Sequence, residues 1–532
     1  MKRPSPYQLA FLVLLVAFVF YGWAFIQRTA ITVGGKQFHA LFDDAMISMQ
    51  YAKNLAHGDG LVWNAGGEQV EGFSNPLWVL LMAGIHLFPI ALTETSFYVK
   101  LLSLFFLLLN LVVIKFLAEQ LTENKLVPLI AVFLTAFYFP INNWSLQGME
   151  VGLEALLLSS ALLLGIMAFK RKEISPWTYA LFSLGVLLRM DAAAPALAAA
   201  VAFAWIDEKR RGQHLAWGLG AVVAVLGGLT LFRIIYYGDW LPNTYYLKLG
   251  GGSLILRVSI GMRRLWDFVW ASNWVLFAIP IALPALDKRK VLLPLVAVLL
   301  GQVAYSIYVG GDAWEHIGGA NRFIASIMPV FFLLFAHTLG CLQELILSRR
   351  EKKPGWVHPA TAVFIITFSL FSLFSFNTLL INDSIAKWTL IEKPVFTESV
   401  ERYASMGLTL QYVTTEKATI AVVTAGNIPY FSERTSIDLL GKNDPIIARG
   451  PAHLNSSLFE PGNYRPGHNK WNYAYSIGEL TPDVVAQIWE GTDAEAAVYL
   501  TNYNLVVIDG IPYYFLKDSP NIRWELIPLQ QD

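Results

Sequence analysis

The sequence is poor in charge and almost devoid of cysteine. Only 15% of its 532 residues are Asp, Glu, Lys or Arg, whereas soluble globular proteins carry about 25%. Hydrophobic residues make up 55%, and this composition predicts a polytopic membrane protein. Cys341 is the single cysteine, which excludes an intramolecular disulfide and a cysteine-based metal cluster. The net charge is zero and no basic stripe occurs, which argues against a nucleic-acid partner.

Long apolar runs recur along the first three quarters of the chain and predict about eleven transmembrane helices. The first run follows a basic N-terminus and is not followed by a small-residue cleavage site. It is therefore expected to be an uncleaved first helix rather than a signal peptide. The predicted spans lie near residues 8–27, 97–118, 126–141, 150–169, 176–190, 191–206, 214–237, 264–285, 290–309, 322–346 and 357–381.

Four basic clusters predict the orientation of these spans. They occupy residues 170–172, 209–211, 288–290 and 349–353, and the positive-inside rule places all four in the cytoplasm. The N-terminus is then inside and the C-terminus outside. If a further apolar run at 76–90 crossed the membrane, the basic cluster at 170–172 would lie outside. Because it is short and lies between two prolines, it is expected to be an interfacial or re-entrant helix on the outer face.

The last 150 or so residues differ from the rest, because hydrophobic runs there are short and separated by polar, Gly-rich and Pro-rich stretches. Residues 419–426 and 504–510 each look like a buried strand that ends at a glycine turn. The chain is therefore divided into a membrane domain at 1–381, with a first outer loop at 28–96, and an outer α/β domain at 382–532.

With this topology, acidic, basic and amide side chains from five separated segments face one side of the membrane. Charges in or beside spans are rare and tend to mark function. Several of these residues also have a structural interpretation. Asp43 and Asp44 could cap a helix, Glu150 could offset a helix dipole, and Arg189 could form an ion pair with Asp191. Lys248 and Arg322 could contact lipid headgroups. The set comprises Asp43, Asp44, Glu71, Glu150, Arg189, Asp191, Asp239, Asn243, Lys248, Asp312 and Arg322.

The adjacent acids Asp43 and Asp44 follow the first span directly. Two neighbouring carboxylates repel each other and are costly to dehydrate, so their position at a membrane surface indicates a chemical role.

Several blocks of sequence carry a family resemblance. The first outer loop contains FDDAMISMQYA at 42–52, GDGLVWN at 58–64 and VEGFSNPLW at 70–78. Further blocks follow in order: GME at 148–150, LRMD at 188–191, YGDWLPNT at 237–244, GGD at 310–312, RF at 322–323, DLLG at 438–441 and PGHNKW at 466–471. Together they resemble bacterial GT-C membrane glycosyltransferases, above all the terminal arabinofuranosyltransferases of mycobacteria and their Gram-negative relatives.

The resemblance implies an all-α, GT-C-like membrane bundle with a C-terminal soluble domain, in the bacterial inner membrane with that domain in the periplasm. It also implies a sugar donor on polyprenyl phosphate, such as decaprenyl-phospho-arabinofuranose, and a glycan, lipid or protein acceptor. Inverting transfer to a hydroxyl needs a base to take the proton of the acceptor. Asp43 is the predicted base, and Asp44 is the second candidate.

The other predicted site residues have assigned roles. Asp44 and Glu71 are expected either to position the acceptor or to raise the pKa of the base by like-charge repulsion. Arg189, Lys248 and Arg322 are expected to bind the donor phosphate. Asp312 and Glu150 are expected to contact sugar hydroxyls. No metal is expected to be required, although a divalent cation between the two acids and the phosphate is possible. The donor- and substrate-binding candidates are Glu71, Glu150, Arg189, Asp191, Asp239, Asn243, Lys248, Asp312 and Arg322.

Three alternatives remain open at this stage. The same mechanism could transfer another sugar, such as a hexose or aminoarabinose. A transporter or flippase for a lipid-linked glycan would also need many spans, but with charges near the bilayer midplane and inverted repeats. A non-enzymatic membrane scaffold would tolerate neutral substitution of its outer charges.

Overall fold

The computed structural model describes residues 4–250, 253–315, 321–348, 357–378, 383–453 and 464–527. The predicted basic cluster at 349–353 lies outside these residues. The chain packs into two compact units. The first comprises Met1–Arg28, Lys100–Leu229 and Leu254–Val395, and the second comprises Thr29–Val99, Thr230–Ser253 and Phe396–Asp532.

The helices are α1 (Pro6–Arg28), α2 (Asp43–His57), α3 (Pro76–His86), α4 (Leu92–Glu119), α5 (Leu126–Ala136), α6 (Phe139–Leu146), α7 (Val151–Arg171), α8 (Pro176–Leu188), α9 (Ala193–Ile206), α10 (Arg211–Tyr236), α11 (Asn243–Leu249), α12 (Leu254–Ala271), α13 (Trp274–Ala278), α14 (Leu283–Leu286), α15 (Leu293–Val309), α16 (Arg322–Ser348), α17 (Val357–Asn377), α18 (Ser384–Trp388), α19 (Thr397–Val413), α20 (Asn427–Ser432), α21 (Pro445–Arg449) and α22 (Asp493–Ala497). The strands are β1 (Ala30–Val33), β2 (Lys36–His39), β3 (Thr419–Val422), β4 (Thr435–Asp438), β5 (Val484–Val485), β6 (Tyr503–Ile508) and β7 (Ile511–Leu516).

The first unit is a helical bundle organised around α16. This helix is rich in apolar residues and buried from Arg322 to Gly340, as expected for a helix enclosed by others. It packs against α5, α6, α7, α15 and α17, while α15 also packs against α9 and α12. The unit is therefore a multilayer bundle rather than a row of separate helices.

Each of the eleven predicted apolar runs is helical over most of its described residues. Among the described residues, seven helices are long and apolar enough to cross a membrane. The number rises to nine if two bent helix pairs are each counted as one span. The bends are 50° between α5 and α6 and 104° between α12 and the segment 274–286. The runs predicted at 176–190 and 191–206 form shorter apolar helices, which are too short for a perpendicular crossing. The run predicted at 76–90 is the short helix α3.

The turn between α4 and α5 tests the predicted topology. Residue 120 follows the end of α4 at Glu119, and the charge pattern predicts that this turn is cytoplasmic. An alkaline phosphatase fusion at residue 120 should be inactive, and a fluorescent-protein fusion there should fluoresce. A phosphatase fusion at the exposed residue Gly66 is the matched control and should be active. An active phosphatase at 120 would contradict the topology.

The second unit contains a five-stranded mixed sheet with strand order β4-β3-β5-β7-β6. Strands β4, β3 and β5 are parallel, and β7 runs antiparallel to both β5 and β6. β3 and β6 coincide with the two strands predicted from the sequence, and the predicted C-terminal α/β fold is confirmed. β3 is buried as predicted, whereas β6 lies at the sheet edge and exposes Leu505 and Val507.

The second unit also includes the first long loop, which the sequence-based division assigns to the membrane domain. Side chains of that loop satisfy backbone groups of the sheet. The indole nitrogen of Trp63 donates to the carbonyl of Ala425 at 3.0 Å. Asn64 both donates to and accepts from the backbone of Ser436, at 2.9 and 3.0 Å, on the edge strand β4. Because a sheet edge otherwise exposes unpaired backbone groups, these contacts couple the loop to the tail.

Candidate functional site

Asp43 is fixed where two helices of the second unit begin. It is the first residue of α2, and its carboxylate accepts hydrogen bonds from the backbone N–H of Gly426 at 3.3 Å and of Asn427 at 2.8 Å. The Asn427 side-chain amide donates a third bond at 3.2 Å. A Cβ at position 426 would lie 2.0 Å from the carbonyl oxygen of Asp43, so only glycine permits this approach.

The environment of Asp43 changes its acidity. The side chain is 7% exposed, and burial raises the pKa of Asp43 to about 6, against the opposing effects of the Asn427 hydrogen bonds and the Lys442 charge. A carboxyl group with this pKa is mostly ionised at neutral pH, and it is a stronger base than an exposed aspartate.

Asp44 forms an ion pair with Lys442, whose Nζ lies 2.6 Å from Oδ1 of Asp44. Lys442 lies in a turn at the end of β4. Asp438 organises this turn by accepting hydrogen bonds from the backbone N–H groups of Leu440, Gly441 and Asn443. Burial lowers the pKa of Lys442, but the neighbouring carboxylates outweigh burial and the net pKa is raised. Lys442 is therefore a firmly charged ammonium beside both acids.

His468 lies near Lys442, Asp44 and Lys248 and interacts electrostatically with all three. The pKa of His468 is lowered to about 3, first by burial and then by the charges of Lys442 and Lys248, while Asp44 and a hydrogen bond with the Pro466 backbone oppose them. The His468 ring is therefore neutral at physiological pH. Lys248, on α11, packs against Gly467: a Cβ atom built on Gly467 would lie 3.4 Å from the Cγ of Lys248. We call Asp43, Asp44, Lys248, Lys442 and His468 the Asp43 cluster.

The cluster lies at the carboxyl ends of parallel strands. Gly426 and Asn427 follow β3, and Lys442 follows β4. Ligands of open α/β sheets bind at this edge, where successive loops converge. The position is therefore suited to binding and catalysis as well as to structure.

Asn243 and Glu71 support the cluster. The Asn243 side-chain amide donates to the carbonyls of Gly441 at 2.9 Å and Lys442 at 3.0 Å, which fixes the turn that carries Lys442. The Asn243 backbone N–H donates to the Glu71 carbonyl at 3.1 Å. The Glu71 carboxylate accepts two bonds from Arg233, at 2.5 and 3.1 Å. Both residues therefore position the site.

Asp239 is also engaged by neighbours within the second unit. It pairs with Arg449 and accepts a hydrogen bond from the Tyr246 hydroxyl at 2.7 Å. The ion pair between Asp239 and Arg449 joins the segment before α11 to the end of α21.

The remaining predicted residues form two buried ion-pair groups in the first unit. Arg189 donates to Glu150 at 2.5 Å and to Asp191 at 3.0 Å, and Glu154 lies 3.6 Å away. In the second group, Arg322 forms a two-bond fork with Asp312, at 2.7 and 2.8 Å. These two arginines are thus already bonded to buried carboxylates.

Several residues at these places are not among the predicted site residues. Lys442 directly follows the block at 438–441, and His468 lies within the block at 466–471, so the resemblance contained a signal for both. The only sequence signal for Asn427 was the preceding glycine, Gly426, which marks the end of a predicted strand. Glu154, one helical turn after Glu150, carried no distinguishing signal.

Among the described residues, Asp287, His337 and Cys341 place potential metal ligand atoms within 4.8 Å of one another. His337 Nε2 lies 2.8 Å from Asp287. Arg289 donates to both carboxylate oxygens of Asp287, at 2.9 and 3.0 Å, so a cation would compete with a bound guanidinium. None of the three is a predicted site residue.

A family model for a domain of unknown function (DUF8728) matches residues 394–521, and no curated protein sequence matches. The predicted GT-C-like membrane bundle with a C-terminal α/β domain is confirmed by similarity to solved structures of that fold.

Two of these structures are ArnT from Cupriavidus metallidurans bound to undecaprenyl phosphate and the oligosaccharyltransferase AglB from Archaeoglobus fulgidus with an inhibitory peptide and dolichol-phosphate. For ArnT the TM-score is 0.55 at 12% identity, covering 94% of this chain and 97% of that one. For AglB the TM-score is 0.55 at 12% identity, covering 98% and 75%. At this identity the likeness concerns the fold.

Proposed function

We propose that this protein is an inverting glycosyltransferase that moves a sugar, arabinofuranose, from polyprenyl phosphate to a hydroxyl acceptor. The reaction takes place on the outer face of the bacterial inner membrane. The observation that carries the proposal is Asp43, a buried carboxylate with a raised pKa, set beside the charged Lys442. Solved structures of the same fold, in complex with undecaprenyl phosphate or dolichol-phosphate, support the lipid-linked donor.

In the proposed step, the acceptor oxygen attacks the anomeric carbon from the face opposite the phosphate. The carbon–oxygen bond to the phosphate breaks, and polyprenyl phosphate leaves with the electron pair. Asp43 takes the acceptor proton. Since one displacement occurs through an oxocarbenium-like state, the anomeric configuration inverts. Asp44 remains the second candidate for the base.

Lys248 and Lys442 are the proposed partners of the departing phosphate, because ammonium groups stabilise the charge that develops on it. Arg189 and Arg322 are less suited than the sequence alone suggested, since a phosphate there would approach carboxylates already bonded to them. Their proposed role is structural: Arg189 pairs with Glu150 and Asp191, Arg322 pairs with Asp312, and these ion pairs hold the helices of the first unit in place. Glu71, Asp239 and Asn243 are proposed as positioning residues.

The test is transfer by the purified full chain in lipid nanodiscs. Polyprenyl-phospho-arabinofuranose, a polyprenyl-phospho-hexose and polyprenyl-phospho-aminoarabinose are supplied with a panel of glycan acceptors. Arabinose transfer with inversion, measured by NMR of the product, is the expected result. Transfer of only another sugar would retain the mechanism and change the donor. Movement of a lipid-linked glycan across vesicles without any transfer would favour the transporter.

Activity should not depend on a divalent cation. Lys442 already supplies positive charge next to Asp44 at 2.6 Å, in the place where a bridging cation would otherwise neutralise the acids. We expect the initial rate in excess EDTA to stay within about twofold of the untreated rate, well below the effect of removing a group that stabilises the transition state. A loss of activity that Mg²⁺ restores would contradict this.

A further inference from the structure

A groove of about 470 Å³ opens on the surface of the α/β domain. This volume lies within the range of small-ligand sites, roughly 300–1,000 Å³. Aromatic rings and a few polar groups line it, which is the usual composition of such sites. Its principal lining residues are Ile446, His453, Trp471, Asn472, Glu495 and Tyr499.

One wall of the groove is a stack of two rings. The rings of His453 and Trp471 are nearly parallel, at 13°, with centroids 4.0 Å apart. The stack is held in place, because the His453 backbone N–H donates to the Asn469 carbonyl at 2.8 Å and the Trp471 indole N–H donates to Glu495 at 2.8 Å. His453 is exposed, so the outer ring presents a rigid surface to solvent.

The chemistry of this wall suits a sugar ring. A sugar presents C–H bonds on a face and hydroxyls around its edge. The π face of an aromatic ring is electron-rich and attracts such positively polarised C–H groups. Carboxylate and amide groups at the rim, here Glu495 and Asn472, can bond to the hydroxyls. A peptide or lipid chain would not require this pairing of a flat ring with polar edge groups.

The groove is close to the Asp43 cluster along two chain segments. His468 belongs to the cluster and Trp471 to the groove, three residues apart. Their Cα atoms are therefore at most about 11 Å apart. On the other segment, Lys442 belongs to the cluster and Ile446 to the groove, and they are four residues apart. Lys470 ties the segments together by donating to the Ala448 carbonyl at 2.6 Å.

We infer that this groove is an acceptor subsite that binds a glycan chain by stacking a sugar on the His453–Trp471 pair, a few sugar units from the transfer site. The inference rests on the proposed glycosyltransferase function. It assigns the outer domain the task of selecting extended acceptors over single sugars.

The test compares acceptors of two lengths with the full chain and the variant His453→Ala. The probes are a linear arabino-hexasaccharide and a methyl arabinofuranoside. We expect the KM of His453→Ala for the hexasaccharide to rise about tenfold, because a stacked ring contact contributes up to roughly a tenfold change in affinity. The kcat for both acceptors and the KM for the monosaccharide should not change. Trp471→Phe retains a ring and should preserve most of the hexasaccharide affinity.

Tyr412→Ala is the matched control, because Tyr412 is an exposed aromatic of the same unit outside the groove, and its KM values should equal those of the wild type. Equal KM values for wild type and His453→Ala with the hexasaccharide would overturn the inference while leaving the proposed function intact. If the wild type transfers no sugar at all, saturation-transfer NMR with the hexasaccharide decides separately. Binding that weakens in His453→Ala supports the subsite, and no binding to the wild type overturns it.

Discussion

Replacing Asp43 with Asn should lower the rate of sugar transfer by roughly 10²–10⁴-fold, the usual contribution of a general base. The amide keeps the size of the side chain but cannot accept the proton of the acceptor hydroxyl. The measurement is single-turnover transfer from the polyprenyl-phosphate donor. Asp44→Asn is the paired variant and should lose less, because its carboxylate is paired with Lys442. Full activity of Asp43→Asn would eliminate Asp43 as the base.

The pH dependence should identify the same group. Only ionised Asp43 can accept a proton, and its pKa is raised to about 6 by burial. The rate should therefore be constant above that pH and fall about tenfold per pH unit below it. The acidic limb should persist in Asp44→Asn. A rate that stays flat down to pH 5 would exclude a base with this pKa.

Asn427→Ala separates a structural effect from a chemical one. This variant keeps Asp43 and the backbone N–H groups that bond to it, but it removes the side-chain donor at 3.2 Å. Since that bond favours the ionised carboxylate, its loss should move the acidic limb to higher pH without abolishing transfer. Melting temperatures of all three variants should be compared, because Asp43 also anchors the start of α20.

Replacing Arg233 with Met should destabilise the second unit by about 3–5 kcal/mol, the usual cost of removing one partner of a buried ion pair. Arg233 is 2% exposed and Glu71 is 5% exposed. The substitution therefore leaves a carboxylate without its two charged hydrogen bonds in a place that water hardly reaches. The measurement is thermal unfolding of the purified protein, followed by intrinsic fluorescence.

Two further variants make this result specific. Arg233→Met combined with Glu71→Gln removes both charges and should recover part of the lost stability, because no ion is then left buried. Arg449→Met breaks the more exposed pair with Asp239, whose side chains are 40% and 29% exposed. Solvent screens such a pair, so its loss should cost less than about 1 kcal/mol. Equal destabilisation by Arg233→Met and Arg449→Met would contradict the buried-pair interpretation.

The helical bundle and the strands near 419 and 504 could be predicted because hydrophobic periodicity is local information. Asp43, Asp44 and Lys248 could be predicted as site residues, since unusual charges in an apolar chain are visible without a fold. Lys442 could not be assigned in this way, because its ion pair with Asp44 joins positions 398 residues apart. The ion pair of Arg189 with Asp191 was visible in the sequence, but its proximity to Glu150 and Glu154 was hidden, since it depends on the packing of α7 against α8.

The composition of the second unit also has a consequence for biosynthesis. Residues 29–99 leave the ribosome early, but their partners in the sheet begin at Phe396, roughly three hundred residues later. At about 5–20 residues per second, the first loop waits some tens of seconds for Gly426 and Lys442 to be made. During that interval Asp43 and Asp44 lack the groups that hold them. The charged centre is therefore assembled after translation of the last membrane helix, so a stalled or truncated chain would insert into the membrane without an assembled cluster.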